Sequence, residues 1–440
     1  MSVKQFKRAI SWLGGVALLL SGMVQAVTIQ HWSGANGARV YFVEAHANPI
    51  VDVRVEFDAG NRREDPAKPG VSDMTASLLD AGTASRNEEQ LREALADTAS
   101  SLSSFAELES AGISLRTLAR PAVREQAVAL AADVLARPAF PPAILEREKA
   151  RSIENLRQEE NDAGFLAQRE LTRLMYPSHP YGINARVSAE SLKKITRADL
   201  LAFWRKHYQP RYAVVSIVGD LTRAQAEKLA EDLLAGLKNQ AGALPAIPPV
   251  PVGKEGQTVT LPHPGTQTHL ALGMPVITRD DPDYFPLLVG NYVLGGGGFD
   301  ARLMKEVRDK RGLTYGVSSA FSPYQRAGEF SIGLSTRNDQ AATALKVTRD
   351  TLREFIERGP TDAELEQAKA NIIGGFPLRF DSNRKLLGYL GVIGLYRLPL
   401  TFLDDYTKHV AAVTPAQVRD AWRRRVRPQQ MATVIVGPRS

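Results

Sequence analysis

Cysteine is absent from the 440-residue sequence. That absence excludes disulfide staples, thiolate zinc sites, iron–sulfur clusters and cysteine nucleophiles. Histidine is scarce: His31, His46, His179, His207, His263, His269 and His409 are the whole supply of imidazole. No two of them stand three or four residues apart, so no helix presents a histidine pair to a metal. Dense basic tracts are missing too. The net charge is +7, but Arg423-Arg424-Arg425 is the longest basic run and no Lys/Arg tract is interleaved with aromatics. Nucleic acid is therefore not an expected partner. Beyond the first residues no segment approaches 18 uninterrupted apolar positions, the length a membrane-spanning helix needs.

What is present is an ordinary globular composition, 44% hydrophobic and 23% charged. It suffices for two or three domains with full cores. Lys4, Lys7 and Arg8 precede an apolar stretch, Ala9 to Leu20, and then Val24-Gln25-Ala26. A basic start, a short apolar run and small residues before a cleavage point read as a signal peptide over residues 1–26. The expectation is an exported, periplasmic protein; retention of the leader as an anchor is the alternative. Without the leader's three basic residues the net charge falls to +4.

The rest is written twice. Thr196 and Thr414, Trp204 and Trp422, Pro210 and Pro428, and Gly219 and Gly437 are all 218 residues apart. Asp65-Pro66 matches Asp281-Pro282 at an offset of 216, and Leu145-Glu146 matches Leu365-Glu366 at 220. A collinear series with so little drift marks a duplicated unit. Between the copies, Ala241 to Pro251 carries four prolines in seven positions, an extended linker. The predicted layout is residues 27–240, a linker over 241–257, and residues 258–440. Alternating or apolar runs predict strands at Ala38–Ala45, Ile50–Ala59, Gly112–Ala119, Gln267–Val276, Leu313–Phe321 and Glu329–Ser335. Helical patterns cover Glu88–Thr98, Arg124–Ala136 and Pro142–Gln158. Strands and helices without strict alternation predict an α+β class: two homologous sandwich domains facing each other across the linker.

Gly70 to Thr83 has a helical pattern stopped by Gly82, with Asp73, Ala76 and Ser77 on one face. Here the chain resembles the insulinase/pitrilysin-type zinc peptidases, whose relatives include mitochondrial processing peptidase. Members with metal read Gly-x-x-His-x-x-Glu-His in this segment, closing on Gly-Thr. Gly70, Leu78-Leu79 and Gly82-Thr83 match that frame. The family's two histidines fall on Asp73 and Ser77, its general-base glutamate on Ala76, and its acidic third ligand near Glu154. A zinc of this type needs two imidazoles, a carboxylate and a base to activate water. The expectation is a degenerate centre and no zinc in this chain, with Glu154 taking part in a helix-surface ion pair.

The second copy keeps more. Gly295-Gly296-Gly297-Gly298-Phe299 leads into Arg308, Gly312-Leu313 and Tyr315. The glycine run lacks the Lys-Ser/Thr of a phosphate loop, and by itself reads as a turn before a helix. In the resembled family an arginine seven residues before a tyrosine, in a helix–Gly-Leu–strand frame, holds substrate and stabilises the tetrahedral intermediate. Arg308 and Tyr315 match that spacing; Arg311, four residues from Tyr315, does not. His179-Pro180-Tyr181-Gly182 and Tyr208-Gln209-Pro210 match as structural turns.

The resemblance thus implies a zinc-free subunit of a heterodimeric peptidase. Zinc sits in a homologous partner, Arg308 and Tyr315 act on a peptide or unfolded polypeptide in trans, and Gly295–Gly298 let a backbone approach. Two alternatives stay open: a peptide-binding or chaperone-like pseudoenzyme, and a structural core-type subunit.

Overall fold

A computed structural model of the chain describes residues 28–251, 253 and 255–438; the expected leader lies outside the described residues. Among the described residues eleven strands build two sheets. Gln30–Ser33 (β1), Arg39–Glu44 (β2), Ile50–Phe57 (β3), Ser101–Ala106 (β4), Ala111–Leu118 (β5) and Val214–Gly219 (β6) form the first, in the order β1-β2-β6-β3-β5-β4. Thr258–Pro262 (β7), Gln267–Ile277 (β8), Val317–Ser322 (β9), Gly328–Arg337 (β10) and Ala432–Gly437 (β11) form the second, in the order β7-β11-β8-β10-β9. With β1 set aside the two orders are the same. In each sheet a single parallel pair, β2–β6 or β7–β11, adjoins antiparallel partners. The offset seen in the sequence is therefore a duplicated topology.

Local chemistry repeats as well. Thr196 caps helix Arg197–His207 by accepting the Asp199 N–H, and Thr414 caps helix Pro415–Arg425 by accepting the Gln417 N–H. Both helices run past their tryptophans by three residues. The copies then diverge: Trp204 donates its indole N–H to the Leu135 carbonyl, whereas Trp422 is wholly buried with its N–H unpaired.

The halves do not merely face each other. Residues on β2 and β6 alternate: Val40, Phe42, Val215 and Ile217 point into the first core, while Tyr41, Val43, Val214 and Val218 belong to the second. That second face is covered by helix Asn383–Tyr396 from the C-terminal half. Reciprocally, helix Ala163–Met175 of the N-terminal half lies on β8 and β11, packing Ala167, Leu171 and Met175 against Val434 and Val436. The two helices begin 220 residues apart, so equivalent elements are exchanged. Glycine permits the close approach: a methyl group on Gly394 would sit 2.4 Å from Val214 Cγ1 and 2.8 Å from the Tyr41 ring.

The 241–257 segment has no helix or strand among its described residues, yet it is pinned. Ile247 is buried, His179 Nε2–H donates to the Pro248 carbonyl at 2.9 Å, and Arg326 donates to the Ile247 carbonyl at 2.8 Å. Two expected elements are shorter than their patterns. Helix Val71–Ser77 gives way to a turn through the fully buried Leu78 and Leu79. The expected strand from Leu313 begins only at Val317, because Gly312 takes a left-handed φ of 61° and Thr314 bonds locally to the Gly316 carbonyl. No described helix is long and apolar enough to cross a membrane.

Candidate functional site

The expected metal position is closed over by hydrogen bonds. Gly70, at a left-handed φ of 98°, turns the chain into helix Val71–Ser77. Glu64, from the preceding loop, accepts the Gly70 and Ser72 N–H groups at 2.8 Å each and so caps the helix from outside. Asn61 donates to Asp73 at 2.8 Å and lies within 3.4 Å of Glu64 and of Asn184. Ser77 donates its hydroxyl to the Met74 carbonyl at 3.0 Å, and Ala76 is a buried methyl. Glu154 lies on the exposed face of helix Pro142–Glu159, 3.3 Å from Gln158 and 3.7 Å from Arg157.

The electrostatics are those of a buried acidic cluster. Burial, with a small contribution from Asp73, pushes the Glu64 carboxyl up to about 8. Burial pushes Asp73 up to about 6 against the opposing Asn61 bond. Tyr208, fully buried, has a hydroxyl without any partner; burial first and then Asp73 raise its pKa. Among the described residues no group of three or more His, Cys, Asp or Glu side chains is placed to hold a metal ion. The residues present do not fit a zinc: the only carboxylate on the helix face is held by Asn61, and Ser77 spends its hydroxyl on the backbone. Asn61 and Glu64 escaped the sequence reading, and Tyr208 was read only as part of a structural turn, since nothing in their spacing links them to the helix.

The second cluster is open instead. Gly295, Gly296 and Gly297 lie in a wide helical turn with no room for side chains. A methyl on Gly295 would sit 2.4 Å from Ser319 Oγ, and one on Gly297 2.6 Å from the Tyr292 carbonyl oxygen. Gly298 differs, with a φ of 67° and open space around it. These glycines thus serve packing at three positions and turn geometry at the fourth. Phe299, next in sequence, is 70% exposed and Tyr315 is 87% exposed, the highest values among the large apolar side chains. The Arg308 guanidinium lies 4.9 Å from the Phe299 ring centre and 3.2 Å from the Asp309 carboxylate. Tyr315 stands in the loop before β9, and no hydrogen bond or ring contact ties it to Arg308. Arg311 is occupied by Glu306, whose carboxylate it meets at 2.8 Å. Neither Arg308 nor Tyr315 bonds to Asp73, Ser77 or Glu154. Phe299 is the residue the sequence reading passed over; an aromatic directly after a glycine run was its signal.

Two copies of one mixed sheet, exchanging helices and carrying a peptidase-like helix stripped of its ligands, define a class: metallopeptidase-like double repeats without a metal centre. The comparisons with known proteins agree. The model of insulinase (peptidase family M16) matches residues 39–185, and that of the peptidase M16 inactive domain matches residues 194–372. The crystal structure of a peptidase M16 inactive domain from Pseudomonas fluorescens superposes with a TM-score of 0.90. It is 37% identical and the match covers 94% of this chain and 98% of that one. An uncharacterized zinc protease of Streptomyces coelicolor is 27% identical, over 86% of this chain and 83% of its own. The non-peptidase homolog YmxG of Helicobacter pylori is 26% identical, over 87% of each. The chain belongs to the insulinase family, peptidase family M16.

Proposed function

We propose that this protein is the zinc-free subunit of an exported two-chain peptidase and works against a homologous partner that carries the metal. The observation that carries the reading is the contrast between the two clusters. The helix that would hold zinc is closed by hydrogen bonds from Asn61 and within its own turn, whereas Arg308, Phe299 and Tyr315 are presented outward, with the Tyr315 hydroxyl bonded to nothing among the described residues. Exposed aromatic rings beside a guanidinium suit a peptide or a partner surface. In the assembled pair the guanidinium donates to a substrate carbonyl and the phenol donates to the oxyanion that develops during attack.

A second reading, peptide binding without hydrolysis, is favoured by the open edges β4 and β9. Both run along their sheets without a charged residue, and an extended peptide is able to add to such an edge.

The test is co-expression with a family member that keeps His-x-x-Glu-His, followed by peptide hydrolysis with each chain alone and both together. The expected result is activity only in the pair, with Arg308→Ala plus Tyr315→Phe lowering kcat by roughly 10²–10³. Full activity of the zinc-bearing chain alone, or an unaffected double variant, overturns the proposal. Saturable peptide binding by this chain without any gain on adding the partner selects the second reading.

A further inference from the structure

A cavity of about 420 Å³ lies where the two halves meet; it contains none of the cluster residues described above, although Asp58 and Arg62 of its wall are close in sequence to Asn61 and Glu64. Its size is that of a small-molecule site. Arg39 and Arg211 reach it from the first half, Arg279 and Arg397 from the second. Among the described residues none of these four guanidiniums has an ion-pair partner. Arg39 donates to the Gly394 carbonyl at 2.6 Å, and Arg211 to the side-chain oxygen of Gln209 at 2.9 and 3.2 Å. Arg279 contacts only the Tyr284 hydroxyl, at 3.4 Å, and the faces of Tyr284 and Tyr396; its Nε is buried without an acceptor. The Arg397 guanidinium has no hydrogen-bond partner among the described residues, while its backbone N–H donates to the Ile393 carbonyl.

The acids nearby do not balance them. Asp58 is shared between Arg62 and Arg63, and Asp280, which also lines the cavity, accepts only the neutral Thr278 hydroxyl at 2.7 Å, so one unpaired carboxylate stands against four guanidiniums. Arg62 itself, which also lines the cavity, is matched by Asp58 and Glu109. Burial, joined by the neighbouring Arg397 charge, lowers the pKa of Arg39, as expected for cations crowded without counter-charge. Arg397 also holds a left-handed backbone, φ 55° and ψ 41°, a conformation costly for a residue with a side chain. Its place at the C-terminal end of helix Asn383–Tyr396 accounts for one positive charge by the helix dipole. It does not account for the other three.

We infer that this cavity is a binding site for a compact small molecule bearing at least two anionic groups, held between the two halves by Arg39, Arg211, Arg279 and Arg397. Planar guanidinium forks match phosphate and carboxylate oxygens alike, and several of them around one cavity favour a ligand of high charge density. Because both halves contribute, an occupied site ties them together and raises the unfolding temperature through linkage. The inference is independent of the peptidase reading and stands if that reading fails.

The experiment uses the full chain in 150 mM sodium chloride. Titration calorimetry and thermal unfolding are run with inorganic pyrophosphate and, separately, with citrate; the preferred probe tells a phosphate-bearing ligand from a polycarboxylate. The expected result is saturable one-site binding of one or both probes with a rise in Tm. Arg279→Gln and Arg39→Gln each weaken it about tenfold or more, since each removes a charged hydrogen-bonding fork. Arg384→Gln, an exposed arginine on the same C-terminal helix outside the cavity, leaves it unchanged. Arg211→Gln, at the half-buried rim, provides a further variant if the others fail to fold. Absence of saturable binding by both probes, or equal weakening by Arg384→Gln, overturns the inference.

Discussion

Replacing Glu64 by glutamine exchanges one buried carboxyl for an amide of the same shape, and the structure sets the sign of the effect at each end of the pH range. Glu64 caps helix Val71–Ser77 through two backbone N–H groups while burial pushes its pKa from 4.5 up to about 8. A carboxyl that holds its proton more tightly in the folded state makes that state bind more protons between those two values, so stability falls as pH rises from about 4.5 to about 8. The ceiling on that loss is ~5 kcal/mol once the anion is fully formed. The amide carries no such penalty, but it offers one acceptor oxygen where two N–H donors wait, a loss of about 1–2 kcal/mol. Glu64→Gln is therefore expected to be less stable than the parent by about 1–2 kcal/mol near pH 4 and more stable by ~2–3 kcal/mol at pH 8.5, the two curves crossing between. Urea unfolding at several pH values, followed by tryptophan fluorescence, reads both ends. Parallel curves across the range would refute the buried, protonated carboxyl and the reasoning built on it.

Further expectations concern packing and one ion pair. Gly394→Ala places a methyl against Val214 and Tyr41 and is expected to destabilise by about 1–3 kcal/mol despite the better helix former, whereas Gly388→Ala, on the same helix with open space, gains ~0.5–1 kcal/mol; thermal unfolding of the pair checks the opposite signs. Burial raises the Glu364 carboxyl, but the Arg302 fork at 2.6 and 2.8 Å and the Thr361 N–H outweigh it and hold the pKa at about 2. A lowered carboxyl pKa contributes stability above about 4.5 that is lost as pH falls toward 2. Arg302→Gln is accordingly expected to cost ~2–3 kcal/mol at pH 7 and little near pH 2, measured by denaturant unfolding at both.

The duplication was legible because equivalent residues such as Trp204 and Trp422 recur along the chain in the same order; the sheet order, with β6 or β11 inserted beside the first strands, was not. The loss of the metal ligands was equally plain, since Asp73, Ala76 and Ser77 stand in an otherwise matching frame. What closes the centre was not legible. Glu64 caps a helix six residues downstream through its side chain, and Asn61 reaches Asp73 across a turn; neither contact follows a helical or strand period. The glycine run was read as backbone left open for a ligand, while Gly295 and Gly297 are crowded by Ser319 and Tyr292, neighbours fixed only by tertiary packing. The arginine cavity draws on positions from 39 to 397, and no local pattern unites them.

The crossed helices Ala163–Met175 and Asn383–Tyr396 bear on descent and on autonomy. Each sheet is roofed on one side by a helix encoded in the other copy. A chain of one repeat would leave Tyr41, Val43, Val214 and Val218 bare to water, or Val434 and Val436 in the other half. Such a chain closes both faces only by lending its helix to a second molecule and borrowing one back, as in a domain-swapped dimer with twofold symmetry. In this protein the proline-rich joint supplies that exchange within one polypeptide, so either half expressed alone is expected to expose an apolar sheet face.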